Sequence, residues 1–166
     1  EPTKRHHLFS LFTTHLKSHF VPYYEDQVSG QKEANETRLL QAETMARIMN
    51  SRMKGQTNFV VLGDMNDPVD SPYLAPFVTH PRLQLTNALA NPTETRPTPK
   101  TTPPPATAAW THRFKVSGQP AEYSLFDHIW LGSELAARQT AAHIDRRTKL
   151  GGDGSDHDPA WVTLRF

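Results

Sequence analysis

The chain has 166 residues, with 18 lysines and arginines against 17 aspartates and glutamates, and no cysteine. At that length one compact unit can bury a core without crosslinks, and the lack of cysteine excludes disulfides, a thiolate zinc site and a catalytic thiol. The near balance of charge excludes the global field that governs nonspecific nucleic-acid binding, so any polyanion must be recognised locally.

No stretch approaches the roughly 20 apolar residues of a membrane span, and residues 1–7 carry no apolar signal core, so the chain reads as soluble, with no compartment indicated. It begins at Glu1 rather than Met, which points to a start made by processing, proteolysis or choice of boundary.

In chain order, residues 8–14 (LFSLFTT) form a short run rich in apolar and β-favouring residues that predicts a mostly buried strand delivering His15 at its end. Over 33–54, Leu39, Ala42, Met45, Ala46, Met49 and Met53 recur at three and four, a helical stripe stopped by Gly55. Residues 59–62 are apolar and bounded by Gly63 and Asp64, which predicts a buried strand with Asp64 at its end. Pro68 and Pro72 punctuate a turn, followed by a short helix over 72–78. The Pro- and Thr-rich segment 91–105 can supply neither helix nor central strand and reads as a surface loop. Strands are predicted over 125–131, 140–145 and 160–166, the last two separated by the glycine-rich turn 151–154. One long helix among strands, with a strand-rich C-terminal part, predicts a single α/β layered sandwich over 1–166 and excludes a helical bundle.

Four places in this order carry chemistry. Gly63-Asp64-Met65-Asn66 sets a carboxylate and a carboxamide two residues apart at a strand end, hard oxygen donors suited to a cation such as magnesium or to orienting water. The same residues also build an Asx turn. Ser155-Asp156-His157-Asp158-Pro159 flanks a histidine with two carboxylates, which favours an imidazolium able to stabilise a charged phosphorane-like state, while a solvated histidine in a polar loop fits as well. Asp127 lies on one strand face with Leu125, Ile129 and Leu131; an unpaired carboxylate there is expensive, so Asp127 needs a partner, and a catalytic imidazole is one that needs an acid. His128, on the opposite face, reads as structural. Thr14-His15-Leu16-Lys17-Ser18 places His15 at a strand end, a weak signal alone.

Taken in order, these four motifs resemble the endonuclease/exonuclease/phosphatase superfamily, whose members include pancreatic deoxyribonuclease, apurinic endonucleases, inositol polyphosphate 5-phosphatases and bacterial sphingomyelinases. The resemblance implies the C-terminal part of a four-layer α/β sandwich of deoxyribonuclease-I-like fold, its central strands flanked by helices. It implies a divalent-metal-dependent hydrolase of phosphodiesters or phosphomonoesters, using magnesium, with manganese or calcium as alternatives. By that similarity Asp64 activates the attacking water, Asn66 holds water and phosphate, His157 contacts the scissile phosphate, Asp127 orients His157, Asp156 approaches the metal with Asp64 and Asn66, and His15 hydrogen-bonds the phosphate from the other side.

The chain departs from the family in one respect: the strands that supply an Asn and a metal-binding Glu before the His-Leu motif have no counterpart in the fourteen residues ahead of His15, and Glu25, Glu33 and Glu36 match nothing in that pattern. The expected partners are therefore a phosphate ester, nucleic acid or small, and either the missing N-terminal half or a second copy, with Phe9, Phe12, Trp130 and Trp161 lining the contact. Arg146 and Arg147, with Lys149, are candidates for holding a polyanionic substrate, though a solvated basic turn also accounts for them. Trp110, Arg113, Lys115 and Tyr123 could stack on a base or bind phosphate, or be ordinary surface residues. The competing readings are a noncatalytic half-domain that binds a partner, and a histidine-based zinc protein, disfavoured because no His pair has the helical i, i+4 spacing.

Overall fold

A computed structural model describes residues 7–94, 105–146 and 154–166. Its elements are β1 (Ser10–His15), α1 (Gln27–Met53), β2 (Phe59–Asp64), α2 (Ala75–Val78), β3 (Thr86–Asn87), β4 (Thr93–Glu94), β5 (His112–Phe114), β6 (Glu122–Ser124), β7 (Asp127–Leu131), α3 (Ser133–Ala136), β8 (Gln139–Ile144) and β9 (Ala160–Leu164). They make a four-stranded sheet in the order β1-β2-β7-β3, a three-stranded sheet β4-β8-β9, and a β5-β6 ribbon.

Helix α1 starts six residues earlier than its apolar stripe predicts. Asp26 caps it by accepting from the Ser29 amide at 2.7 Å, so the start is set by a capping side chain rather than by periodicity. Its end is as read: Lys54 adopts a left-handed φ of 48°, followed by Gly55 at 87°. Ala42, Ala46, Met49 and Met53 bury against Phe59, Val61 and Trp130 on one face of the larger sheet. The other face of that sheet presents Val60, Ile129 and Leu131 to Ala142 and Ile144 of the smaller sheet. Alternation along β2 therefore feeds two cores, which is why its sequence is apolar throughout rather than every second residue. The described residues thus supply helix, sheet and sheet, three layers of a mixed α/β sandwich of the expected class.

The short strands β3 to β6 and helix α3 were not visible as sequence patterns. Strand β7 begins at Asp127, two residues later than predicted; at its start the Phe126 and Asp127 amides go to the Thr111 hydroxyl rather than to a neighbouring strand. The predicted loop 91–105 opens with β4, paired in parallel to β8, and its residues 95–104 lie outside the described residues. Of the four residues expected at an interface, Phe9 and Trp161 are exposed, on the edge-strand side of each sheet. Phe12 and Trp130 instead pack into the core under α1, since their sheet face is the one the helix covers. Among the described residues, no helix is long and apolar enough to cross a membrane.

Candidate active site

The site is a row across the larger sheet. Parallel pairing of β1 with β2 sets His15 opposite Asp64, and antiparallel pairing of β2 with β7 sets Asp64 opposite Asp127. Three residues remote in sequence thus stand side by side by register alone, and a slip of one residue would send them to the wrong face. Gly63 makes the approach feasible. Its φ is 142°, and a Cβ there would lie 1.8 Å from the Thr14 carbonyl oxygen, so only glycine permits β1 to lie against β2 at this point.

Beyond Gly63 the chain turns. Asp64 Oδ1 accepts from the Asn66 amide at 2.8 Å, the Asx turn the sequence allowed, and Asn66 sits in the left-handed region at φ 52°. The Asn66 carboxamide donates to the Leu16 carbonyl at 3.0 Å, tying the turn to the end of β1. Asp64 Oδ2 is left facing His15 Nε2 at 3.5 Å. Turn and site are therefore one structure: one carboxylate oxygen fixes the loop and the other points at the histidine.

Asp127 meets His157 directly, Nδ1 donating to Oδ2 at 2.6 Å. Thr111 makes that meeting happen. Its hydroxyl accepts from the Phe126 and Asp127 amides at 3.3 and 3.1 Å, and its carbonyl accepts from the Asp158 amide at 2.7 Å, so it clips the start of β7 to the loop that carries His157. The Asp127 hydrogen bond raises the His157 pKa against the opposing effect of burial. Burial pushes Asp127 up, but hydrogen bonds from His157 and Thr111 outweigh it and leave its carboxyl below the usual range. Asp64 is raised, mainly by burial and further by the charge of Asp127, against the pull of the Asn66 amide. Potential ligand atoms of Asp64, Asp127 and His157 lie within 4.8 Å of one another.

Asp156 stands elsewhere than a shared site with Asp64 would require. It is largely exposed and groups with His112 and His157, its Oδ2 3.6 Å from His112 Nε2, so the two acids belong to separate donor groups that meet at His157. Arg146 is a correction. It is fully buried, donating to Asp158 at 2.8 Å, Glu94 at 2.7 Å and the Trp110 carbonyl at 2.7 Å, with its guanidinium 3.7 Å from the centre of the Trp110 ring. A cation so saturated braces the β4, β8 and Asp158 segments and has no free fork for a phosphate. Trp110, beneath it, is buried too and offers no face for stacking on a base. Arg147 and Lys149 lie outside the described residues.

His128 is buried as a linker, donating Nε2–H to the Leu125 carbonyl at 2.9 Å and accepting from Trp130 Nε1 at 3.1 Å. Sequence reasoning did not find Thr111 or His112. The run Trp110-Thr111-His112-Arg113-Phe114 has strand-favouring residues, but only His112–Phe114 pair as β5, too few to show a period. Asp67 was also missed: it is buried and held by Arg38 Nε at 3.1 Å, Ser71 Oγ at 2.7 Å and His19 Nε2 at 3.3 Å. Arg38, on the buried face of α1, was masked by the charge that excludes it from an apolar stripe.

The family model described as the Endonuclease/Exonuclease/phosphatase family matches residues 5–157. Among solved structures, a 3′ phosphatase, NExo, from Neisseria, bound to a product DNA hairpin, superposes with a TM-score of 0.59 at 16% identity over 94% of this chain and 61% of its own. The 3′-5′ exonuclease NExo from Neisseria meningitidis gives 0.57 at 17% identity, over 94% and 61%. The endonuclease domain of TRAS1, a telomere-specific non-LTR retrotransposon, gives 0.53 at 13% identity, over 80% and 54%. At such identities the likeness establishes the fold, and this chain spans between 54% and 61% of the length of these relatives. No curated protein matches it.

Proposed function

The chain belongs to the endonuclease/exonuclease/phosphatase family, and on that premise we propose that it is the C-terminal part of a divalent-metal-dependent hydrolase of phosphate esters, nucleic acid or small. The observation that carries this is the juxtaposition of Asp64 with the Asp127–His157 pair, the carboxylates on facing positions of paired strands and the imidazole held at 2.6 Å. It supplies the two functions phosphoester cleavage needs: a base for water and a cationic donor for phosphate.

Asp64 is the base. Burial raises its proton affinity, which brings a carboxylate nearer the range in which it can accept a proton from water. His157 is the donor, its protonated form favoured by Asp127 and its Nε2 available because Nδ1 is engaged. Asn66 positions water and phosphate from a turn fixed at two points, and His15 approaches the phosphate from the neighbouring strand. A carboxylate such as Asp64, whose ionisation the charge of Asp127 opposes, is donor chemistry that a hard divalent ion relieves. Magnesium, or manganese or calcium in its place, would be held by Asp64 and the Asn66 carboxamide oxygen. When bound it would neutralise phosphate charge.

The test is kinetic. In the full-length protein, Asp64→Ala and His157→Ala should each lower kcat at least about a hundredfold on an aryl phosphodiester with magnesium, with the fold retained. A loss below tenfold in both would remove these residues from the mechanism. A second reading, a partner-binding half-domain without turnover, draws on Phe9 and Trp161 at the open sheet edges. Magnesium-dependent, chelator-sensitive turnover by the full-length protein would exclude it.

A further inference from the structure

We propose that His112, Asp156 and His157 form a second metal site, selective for a transition-metal ion such as zinc, whose occupation switches the phosphoester site off. The donor atoms of the three residues lie within 4.8 Å of one another, with His112 Nε2 3.6 Å from Asp156 Oδ2. Helical spacing has no part in it. A main-chain bridge pairs His112 with His157, so the backbone itself fixes the separation of the two imidazoles, whose centroids are 4.9 Å apart.

Both rings are also oriented. His112 lies flat on Phe126, with centroids 5.1 Å apart and planes 15° from parallel. His157 gives Nδ1 to Asp127, which leaves Nε2 as its outward ligand atom and makes Asp127 the carboxylate that stands behind a metal-bound imidazole and fixes its tautomer. Asp156 is exposed, its side chain 75% accessible, which gives an ion a path in and leaves room for a water as fourth ligand. Two imidazole nitrogens and one carboxylate oxygen suit zinc, cobalt or copper; magnesium and calcium prefer all-oxygen shells. The group therefore differs in selectivity from the oxygen donors at Asp64 and Asn66.

The two sites share His157, and from this the switch follows. An ion on Nε2 removes the proton that His157 would offer to phosphate. The switch rests on the catalytic reading of His157; the binding of the metal does not.

Cobalt(II) titration of the full-length protein in excess magnesium reads the site by the visible absorption of a low-coordinate ion, without reference to turnover. One cobalt per chain should bind and be displaced by zinc, and zinc should inhibit magnesium-dependent turnover. His112→Phe keeps a ring against Phe126 and removes the ligand atom. It should leave magnesium-dependent turnover intact, weaken cobalt binding at least about a hundredfold, since loss of a supporting residue alone costs about 10–100-fold, and relieve zinc inhibition in parallel. Cobalt binding that is absent, or indifferent to His112→Phe, overturns the site and leaves the hydrolase reading standing. His112-dependent binding without zinc inhibition overturns the switch, and with it the phosphate-contact role of His157.

Discussion

Replacing Asp127 with Asn tests the centre of the proposed mechanism, because it changes one oxygen for an amide while the backbone stays anchored by Thr111. The bond removed is a charge-assisted hydrogen bond of 2.6 Å between side chains 24% and 30% accessible. Such bonds contribute about 1.5–3 kcal/mol, trimmed at the upper end by partial exposure; only the part that strengthens in the transition state lowers kcat, so at about 1.4 kcal/mol per tenfold the loss of this bond alone lowers kcat by at most about 10- to 100-fold. The amide can also turn its NH2 toward Nδ1 and hold the imidazole in the wrong tautomer, which adds to the loss. The pH profile carries independent information. A His157 that must be protonated works below its raised pKa and fails as pH rises through it, so this group sets the alkaline limb. Removing Asp127 removes the principal cause of the raised value, and the limb should move to lower pH. In the double variant Asp127→Asn/His157→Ala the losses should not multiply, since the two act as one unit. A kcat within threefold of wild type, an unmoved alkaline limb, or multiplicative losses would refute the pairing as a catalytic device.

On the acid side, Asp64 must be ionised to act as base and to hold the ion, so turnover should fall as pH drops far enough to protonate it, and Asp64→Asn should abolish that limb along with most activity. Stability follows the same pair with opposite limits: the His157 contribution is present below the ordinary imidazole value of 6.5 and lost as pH rises through the raised one, and the Asp127 contribution is present above 3.8 and lost as pH falls through the lowered one. The urea midpoint of wild type should therefore exceed that of Asp127→Asn most between those limits. Arg146→Met should cost about 3–5 kcal/mol in urea unfolding by breaking its buried ion pair with Asp158; unchanged stability with a raised KM would restore Arg146 to substrate binding. Residues 1–166 alone should self-associate or bind the N-terminal half, and turn over poorly; a stable monomer in light scattering with magnesium-dependent turnover would contradict this.

What could be read from the sequence was whatever depends on local pattern. The α1 stripe, the apolar run ahead of Asp64 and the Asp127 strand are short-range regularities, and each of the four motifs sits within a few consecutive residues. What could not be read depends on where distant segments meet. Arg146 has the sequence neighbourhood of a basic surface turn, and only the packing of Trp110, Glu94 and Asp158 around it makes it a buried brace. Thr111 stands just before, and His112 opens, a three-residue strand too short to give a period, and their role comes from the loop that closes over them. The separation of Asp156 from Asp64 was equally invisible, since nothing local to an acid at a strand end or to an acid in a loop says that one turns toward His15 and the other toward His112.

The geometry also constrains how a site of this kind can be divided. His15, Asp64 and Asp127 are held by strand register, which is rigid and depends on Gly63; His157 is held by a loop and depends on Asp127 and Thr111 for its aim. Changes at Gly63 and at Thr111 should therefore differ in kind. A Cβ at Gly63 meets the Thr14 carbonyl at 1.8 Å, a backbone clash that no side-chain movement relieves, so Gly63→Ala should destabilise the whole domain by more than about 3 kcal/mol and remove activity with it. Thr111→Val keeps the shape and loses the acceptor for two amides together with the hydrogen bond to the Asp127 carboxyl, so the domain should fold while kcat falls and the alkaline limb moves toward that of Asp127→Asn. If instead Thr111→Val unfolds the protein and Gly63→Ala leaves it folded and active, then the loop carries the fold, the strands do not place the site, and the division argued from register is wrong.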